Sequence, residues 1–182
     1  MSIKIFTAAT AAALALAGCA PMAGDATGGQ GAMGAMAGDM TPEGAMAYVA
    51  MAGSSDMYEI ESSRLQQQRG VSANLRSYAA MMIDHHTRTT AATMAAARAA
   101  GLNPPPPMLM PKEAAMIARL QNLNGAAFDR EYKTQQTMAH QMALALHSNY
   151  AKAGDTPSLR ATANAAVPVV RGHLAQIRAM RM

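Results

Sequence analysis

Residues 101–125, GLNPPPPMLMPKEAAMIARLQNLNG, form the connection that decides how this chain folds. It opens with four consecutive prolines, 104–107, which restrict the backbone and cannot continue a helix. The residues that follow predict a short helix over about 111–123. The connection is too long for a turn and long enough to run the full height of a helical domain. We therefore expect it to join two helical hairpins.

Four long helices are predicted around this connection. Gly70, Gly101 and Gly154 are typical helix ends, and Ser72 and Thr156 are typical caps of the helices that follow. Each helix is about 40 Å long at the usual rise per residue. Matched lengths, two short turns and one long crossover predict an all-α, ferritin-like four-helix bundle. The predicted helices cover residues 42–69, 72–100, 126–152 and 156–182.

Three local features refine these helices. Thr41 is the expected cap of the first helix, with Pro42 at its first position. Asp129 and Tyr132 are interpreted as a capping and packing pair near the start of the third long helix. Pro168 removes a backbone donor and is expected to kink the fourth.

The N-terminal region predicts export and membrane anchoring. Residues 1–18 combine Lys4 with a short apolar run, which is typical of a secretory signal. The ending Leu16-Ala17-Gly18-Cys19 resembles the bacterial lipobox, which implies lipidation of Cys19 at the periplasmic face of the outer membrane. The alternative is an ordinary signal with an incidental cysteine. Residues 19–41 are rich in Gly and Ala and predict a flexible tether, which leaves 42–182 for the bundle.

Composition narrows the class of ligand. The net charge is +4, with no tryptophan and two phenylalanines, so no stacking platform or basic stripe for nucleic acid is present. The single cysteine excludes a disulfide framework. Eighteen methionines are many for 182 residues. Most are expected to pack in the core, but Met33, Met36 and Met40 lie in the tether and are candidate Cu(I) ligands, with compositional drift as the alternative.

The histidines predict a site between the helices. Counting residues from the helix ends places one group from each long helix at the same height, within about 6 Å. The second helix contributes two adjacent histidines and the methionine before them. The alternative is that these histidines are ordinary hydrogen-bonded polar residues. His147 lies about two turns from its neighbour in the third long helix and is expected at the surface or as a peripheral ligand. The candidate metal ligands are His85, His86, His140, His173, Glu59 and Met82.

The same residues carry a family resemblance. The patterns Met82-Ile83-x-x-His86-Thr87, Phe128-Asp129-x-x-Tyr132, His140 and His173-Leu174 resemble the DUF4142 family. The resemblance implies export, a ferritin-like helical domain and recurrent histidines, without an established activity. His85 stands where that family commonly has an acidic residue. Met-Ile-x-His-His is locally similar to the DUF305 family, which is associated with copper.

The ligand types favour copper over zinc or iron. Ferritin-type di-iron sites need two Glu-x-x-His pairs, but Ile83 and Val170 stand three residues before His86 and His173. Imidazoles with one carboxylate and a thioether suit copper or zinc. The sequence therefore predicts a lipid-anchored envelope protein that stores or buffers a transition metal. Two alternatives stay open: a metal-free structural or interaction module of the envelope, and a ferritin-like oxidoreductase.

Overall fold

Five α-helices, and no strands, make up the part of the chain that the computed structural model describes, residues 42–181. The all-α prediction is confirmed for these residues. The predicted signal, the tether, Cys19, Met33, Met36, Met40 and the Thr41 cap lie outside them. None of the described helices is both long and apolar enough to span a bilayer. The helices are α1 (Ala45–Arg69), α2 (Ala73–Ala99), α3 (Pro111–Gln121), α4 (Gly125–Ala153) and α5 (Pro157–Ala179).

The helix starts confirm one predicted cap and correct two expectations. Ser72 caps α2 by accepting from the backbone N–H of Leu75 at 3.3 Å. The first helix starts at Ala45, not at 42, because Gly44 breaks the backbone with a φ of +89°. Asp155 then caps α1 from the α4–α5 loop, accepting from Ala45 N–H at 3.1 Å. Thr156 makes no side-chain cap for α5, since its hydroxyl donates to Asp155 instead.

The long helices pack in pairs that follow the chain. The α1 helix packs against α2 and α4, α5 packs against α4 and α2, and the short α3 lies on α1 and α4. The carboxylate of Asp129 on α4 accepts from the backbone N–H groups of Val71 and Ser72 in the α1–α2 turn. Asp129 is therefore a cap, as predicted, but it caps this neighbouring turn. The α5 helix continues through Pro168.

The connection between α2 and α4 runs along α1. A Cβ added to Gly53 would lie 3.0 Å from Pro107 Cβ, so the proline segment sits directly on that glycine. The backbone N–H of Met110 donates to Ser54 Oγ at 2.8 Å. At the other end of α1, Arg69 donates to the carbonyl oxygen of Gln121 at 2.7 Å. A short helix lies within this connection, as predicted, and covers Pro111–Gln121.

Two apolar clusters flank a polar layer along the four long helices. One cluster surrounds Tyr48 and Leu146, and the other surrounds Tyr78 and Phe128. Between these clusters, α1 holds buried acidic residues, and α2, α4 and α5 hold buried histidines. Buried polar groups need partners, so this layer is where the chemistry of the protein must be sought.

Candidate metal centre

Three histidines from three helices meet inside the protein. His86 on α2, His140 on α4 and His173 on α5 are 3%, 0% and 4% exposed. One ring nitrogen of each lies within 4.8 Å of one ring nitrogen of the other two. The ring centroids are 5.3–5.7 Å apart, so no two rings stack face to face at short range. These three residues are called the histidine trio below.

One spacing within the trio equals that of two ligands on a single metal ion. His140 Nε2 and His173 Nδ1 are 3.3 Å apart. Two nitrogens bound at about 2.0–2.1 Å to one tetrahedral ion lie about 3.3–3.4 Å apart. The same distance also admits an N–H···N hydrogen bond between the two rings.

Each ring of the trio has a hydrogen-bond partner at its other nitrogen. His86 Nδ1 lies 2.7 Å from Asp56 Oδ1, and His140 Nδ1 lies 2.8 Å from the carbonyl oxygen of Gln136. His173 Nε2 lies 2.8 Å from Nδ1 of His85. Metal-binding histidines usually donate their second ring N–H to a carboxylate, a carbonyl or another acceptor, which fixes the tautomer. The trio is oriented in that way, with one nitrogen of each ring left facing inward.

Several buried polar atoms of this layer lack a partner. Neither carboxylate oxygen of Glu59 makes a hydrogen bond of normal geometry with any described residue, and the same holds for His86 Nε2. Glu59 Oε1 is 3.4 Å from His140 Nδ1, which is an ion-pair distance only if that ring is charged. A buried polar atom without a partner costs about 1–3 kcal/mol, and more if it is charged. A cation bound here would relieve that cost.

Burial sets the charge states of the trio. Burial, together with the positive charge of His86, lowers the pKa of both His140 and His173 to about 3. Burial also acts to lower the pKa of His86, but the hydrogen bond and charge of Asp56 and the charge of Glu59 raise it overall. Burial raises the pKa of Glu59 to about 7, against the charge of His86 and the nearby Gln136 amide. Two neutral imidazoles at neutral pH are the form that binds metal.

The structure separates the predicted ligands into two groups. The trio comes together, as the count of helical heights predicted, and Glu59 Oε1 approaches it at His140 Nδ1, the ring nitrogen that faces the Gln136 carbonyl. His85 is partly exposed and stacks on His173 with ring centroids 5.1 Å apart, and its Nδ1 lies at hydrogen-bond distance from Nε2 of that ring. Met82 is fully buried in the apolar cluster beside Tyr78, one turn before His86.

His147 corrects one expectation. It is 3% exposed, not at the surface, and its Nδ1 lies 3.0 Å from the hydroxyl of Tyr48. Burial lowers its pKa to about 4. His147 is thus a neutral, hydrogen-bonded histidine two turns from His140, which is what an ordinary buried histidine looks like in this protein.

Sequence reasoning missed Asp56. This carboxylate is 2% exposed, binds His86 and accepts from the hydroxyl of Thr90 at 2.9 Å. A signal was available, since Asp56 lies three residues before Glu59 and so occupies the same face of α1. Its role depends on a contact with α2, which the spacing within α1 does not reveal.

Comparison with known proteins identifies a family and nothing more specific. A family model described as "Domain of unknown function (DUF4142)" matches residues 30–180. No curated protein and no solved structure matches the chain significantly.

Proposed function

The chain belongs to the DUF4142 family, whose description names no activity, and on that premise we propose a function from the site itself: the protein binds a transition metal between His86, His140 and His173. The observation that carries the proposal is the convergence of three buried, oriented imidazoles on one point. Glu59 supplies a carboxylate beside them that has no hydrogen bond of normal geometry to a described residue.

Copper fits the donor set better than zinc or iron. Three imidazoles and one carboxylate suit Cu or Zn, and a given nitrogen and oxygen site binds Cu(II) more tightly than Zn(II). Di-iron centres of the ferritin type draw carboxylates from all four helices. Here both buried carboxylates of the layer, Asp56 and Glu59, come from α1, and Asp56 is engaged by His86.

The overall arrangement suits a ferritin-like four-helix bundle. The α1–α2 and α4–α5 hairpins are joined by one connection that follows the length of α1. In that arrangement all four long helices direct side chains to one central layer. Ligands drawn from α2, α4 and α5, with Glu59 from α1, are what the arrangement predicts.

Storage or stress buffering of copper in the cell envelope is the role that these features favour. The trio is almost fully buried, which suits holding a metal more than turning over a substrate. The signal-like residues 1–18 and Cys19 favour export and a lipid anchor at the outer membrane, with Met33, Met36 and Met40 as further Cu(I) ligands on the tether. Cys19→Ser should release the protein from membrane fractions, and continued tight membrane association would contradict lipidation.

A metal-free structural module is the second candidate, and the His85–His173 and His140–His173 distances favour it. If His173 Nδ1 carries the proton, it donates to His140 Nε2, and His173 Nε2 accepts from His85. The three rings then form a hydrogen-bonded chain that needs no ion. A ferritin-like oxidoreductase would instead need the metal and a route for substrate.

Metal content decides between these candidates. We expect the untagged, metal-free protein to bind about one Cu(II) ion per chain when copper(II) and zinc(II) are added together. His86→Asn should remove it. His147→Asn is the matched control, because it removes a buried histidine outside the trio and should leave the copper in place. If the metal-free parent protein binds neither copper nor zinc, the proposal is overturned and the metal-free structural module is the better interpretation.

A further inference from the structure

A second set of metal-binding side chains lies at the surface, away from the trio. A groove of about 390 Å³ runs between α1, α2 and the proline segment of the α2–α3 connection. Four methionines line it, together with the prolines 104–107 and small apolar side chains. This site is called the methionine groove, and its methionines are Met46, Met94, Met108 and Met110.

The exposure of these methionines is unusual for the protein. Five large apolar side chains of residues 42–181 stand out as exposed, and three of them, Met46, Met108 and Met110, line this groove. Met108 is 71% exposed and Met46 is 43% exposed. Scattered exposed apolar residues need no explanation, but a cluster in one concave site does. All three exposed side chains are methionines, and Leu109, which also lines the groove, is only partly exposed, so the composition points to sulfur more than to apolar area.

The groove is held rigidly in place. Four consecutive prolines fix the backbone dihedral φ of the segment before Met108. Pro107 packs on Gly53 so closely that an added Cβ there would lie 3.0 Å from it. Ser54, which is 1% exposed, accepts the N–H of Met110 at 2.8 Å and donates to Glu113 at 3.2 Å. Two methionines of the groove are thereby carried on a pre-ordered support.

The electrostatics of the groove select the charge of the ligand. None of the described residues that line it carries a charge. Desolvation of an ion costs more as the square of its charge, so a site without carboxylates disfavours divalent ions. Thioethers are soft ligands that prefer Cu(I) over Zn(II) or Cu(II).

We propose that the methionine groove is a second metal site, selective for Cu(I) and independent of the histidine trio. Its thioethers bind the ion without a carboxylate, and the proline segment keeps them in position. The protein would then bind copper in both oxidation states, the divalent ion at the trio and the monovalent ion at the groove.

Silver(I) is the probe, because it mimics Cu(I) and does not oxidise. The experiment uses the full chain with Cys19→Ser, which removes a competing thiol, and ¹³C-methyl methionine, which gives each methionine its own NMR signal. We expect the signals of Met46, Met94, Met108 and Met110 to shift together and to saturate at one silver ion per chain.

Variants then test the assignment. Met46→Leu combined with Met108→Leu keeps the side-chain volume, removes two sulfurs and should weaken silver binding by about tenfold or more. Met81→Leu, a partly buried methionine of α2 outside the groove, should bind silver like the parent. The proposal is overturned if the groove signals stay fixed, if silver shifts only Met33, Met36 and Met40, or if the double variant binds silver like the parent.

Failure of the trio and failure of the groove remain distinguishable. His86→Asn should leave silver binding at the groove unchanged. The methionine double variant should in turn leave copper(II) binding at the trio unchanged, which also shows that it is folded. Loss of silver binding in His86→Asn would show that the ion sits at the histidines and would overturn the methionine groove.

Discussion

Two sets of buried polar residues, one between α1 and α4 and one around the trio, differ in how completely their atoms are paired. Near the α1–α2 turn, Tyr58 donates to Gln135 at 3.0 Å and Gln66 donates to Asp129 at 2.8 Å. The hydroxyls of Ser63 and Tyr132 are 2.8 Å apart. This set is called the pairing layer, and it comprises Tyr58, Ser62, Ser63, Gln66, Asp129, Tyr132, Gln135 and Gln136.

The layer around the trio is equally buried but less complete. In the pairing layer the only side-chain atoms without a partner are two neutral amide oxygens, of Gln66 and Gln136. Around the trio, a whole carboxylate and one imidazole nitrogen lack one. A buried charged group without a partner costs more free energy than a buried amide oxygen without one. A ligand bound at the trio would supply the partners that this second layer lacks. Removing side chains from the two layers should therefore have opposite consequences.

The largest effect on stability is expected in the pairing layer. Asp129→Ala leaves the N–H donors of Gln66, Val71 and Ser72 without their acceptor. The substitution should therefore lower the free energy of unfolding by about 3 kcal/mol. Metal affinity should not change. Urea unfolding with a chelator measures the loss, and Asp84→Ala, an exposed carboxylate paired only with Arg88, is the control expected to change little. Parent-like unfolding of Asp129→Ala would mean that the turn is not held by this carboxylate.

A somewhat smaller effect tests the neutral state of the buried His147 through pH. Its folded-state pKa of about 4 lies below the usual 6.5. The stability gained by keeping it neutral is therefore complete above pH 6.5 and is lost as pH falls toward 4. His147→Asn, measured without metal, should flatten the decline in unfolding free energy between pH 7 and pH 5 by about 2 kcal/mol. Equal slopes for parent and variant would contradict the buried, neutral state.

Glu59→Gln should stabilise the metal-free protein. Burial raises the pKa of Glu59 from 4.5 to about 7, so the cost of its charge appears as pH rises through that range. The variant should unfold less readily than the parent at pH 8 and as readily as the parent at pH 4. Its copper affinity should fall by about tenfold. A variant that unfolds more readily at pH 8, with or without copper, would show that Glu59 has a structural partner.

The smallest effect is expected outside both layers. Deletion of residues 22–40 should leave helicity and melting temperature nearly unchanged, because that composition offers little to bury. Circular dichroism melts of both proteins test this. A large loss of stability would show that this segment contributes packing to the helices.

Much of the helical architecture could be predicted, because its signals are local. Gly70 and Gly154 end helices, Ser72 caps one, and the prolines 104–107 lie in the connection that separates α2 from α3. The start of α1 could not be predicted in the same way. Its position depends on Asp155, a residue more than a hundred positions away that caps Ala45.

The shared height of the three histidines could be predicted, but the convergence of their ring nitrogens could not. Counting helical rises places His86, His140 and His173 at one height, yet rise says nothing about which way each ring turns. The acceptors that turn them, Asp56 and the carbonyl of Gln136, are ordinary residues of their helices. The same count could not show that His147 is buried, since its environment depends on Tyr48 of another helix.

The central claim is that one ion binds between His86, His140 and His173, and anomalous diffraction from crystals grown with one equivalent of copper tests it most directly. We predict a single strong peak at the copper edge, about 2.0–2.1 Å from one ring nitrogen of each of the three histidines. Crystals whose three rings remain joined by hydrogen bonds, with no anomalous peak between them, would contradict the claim.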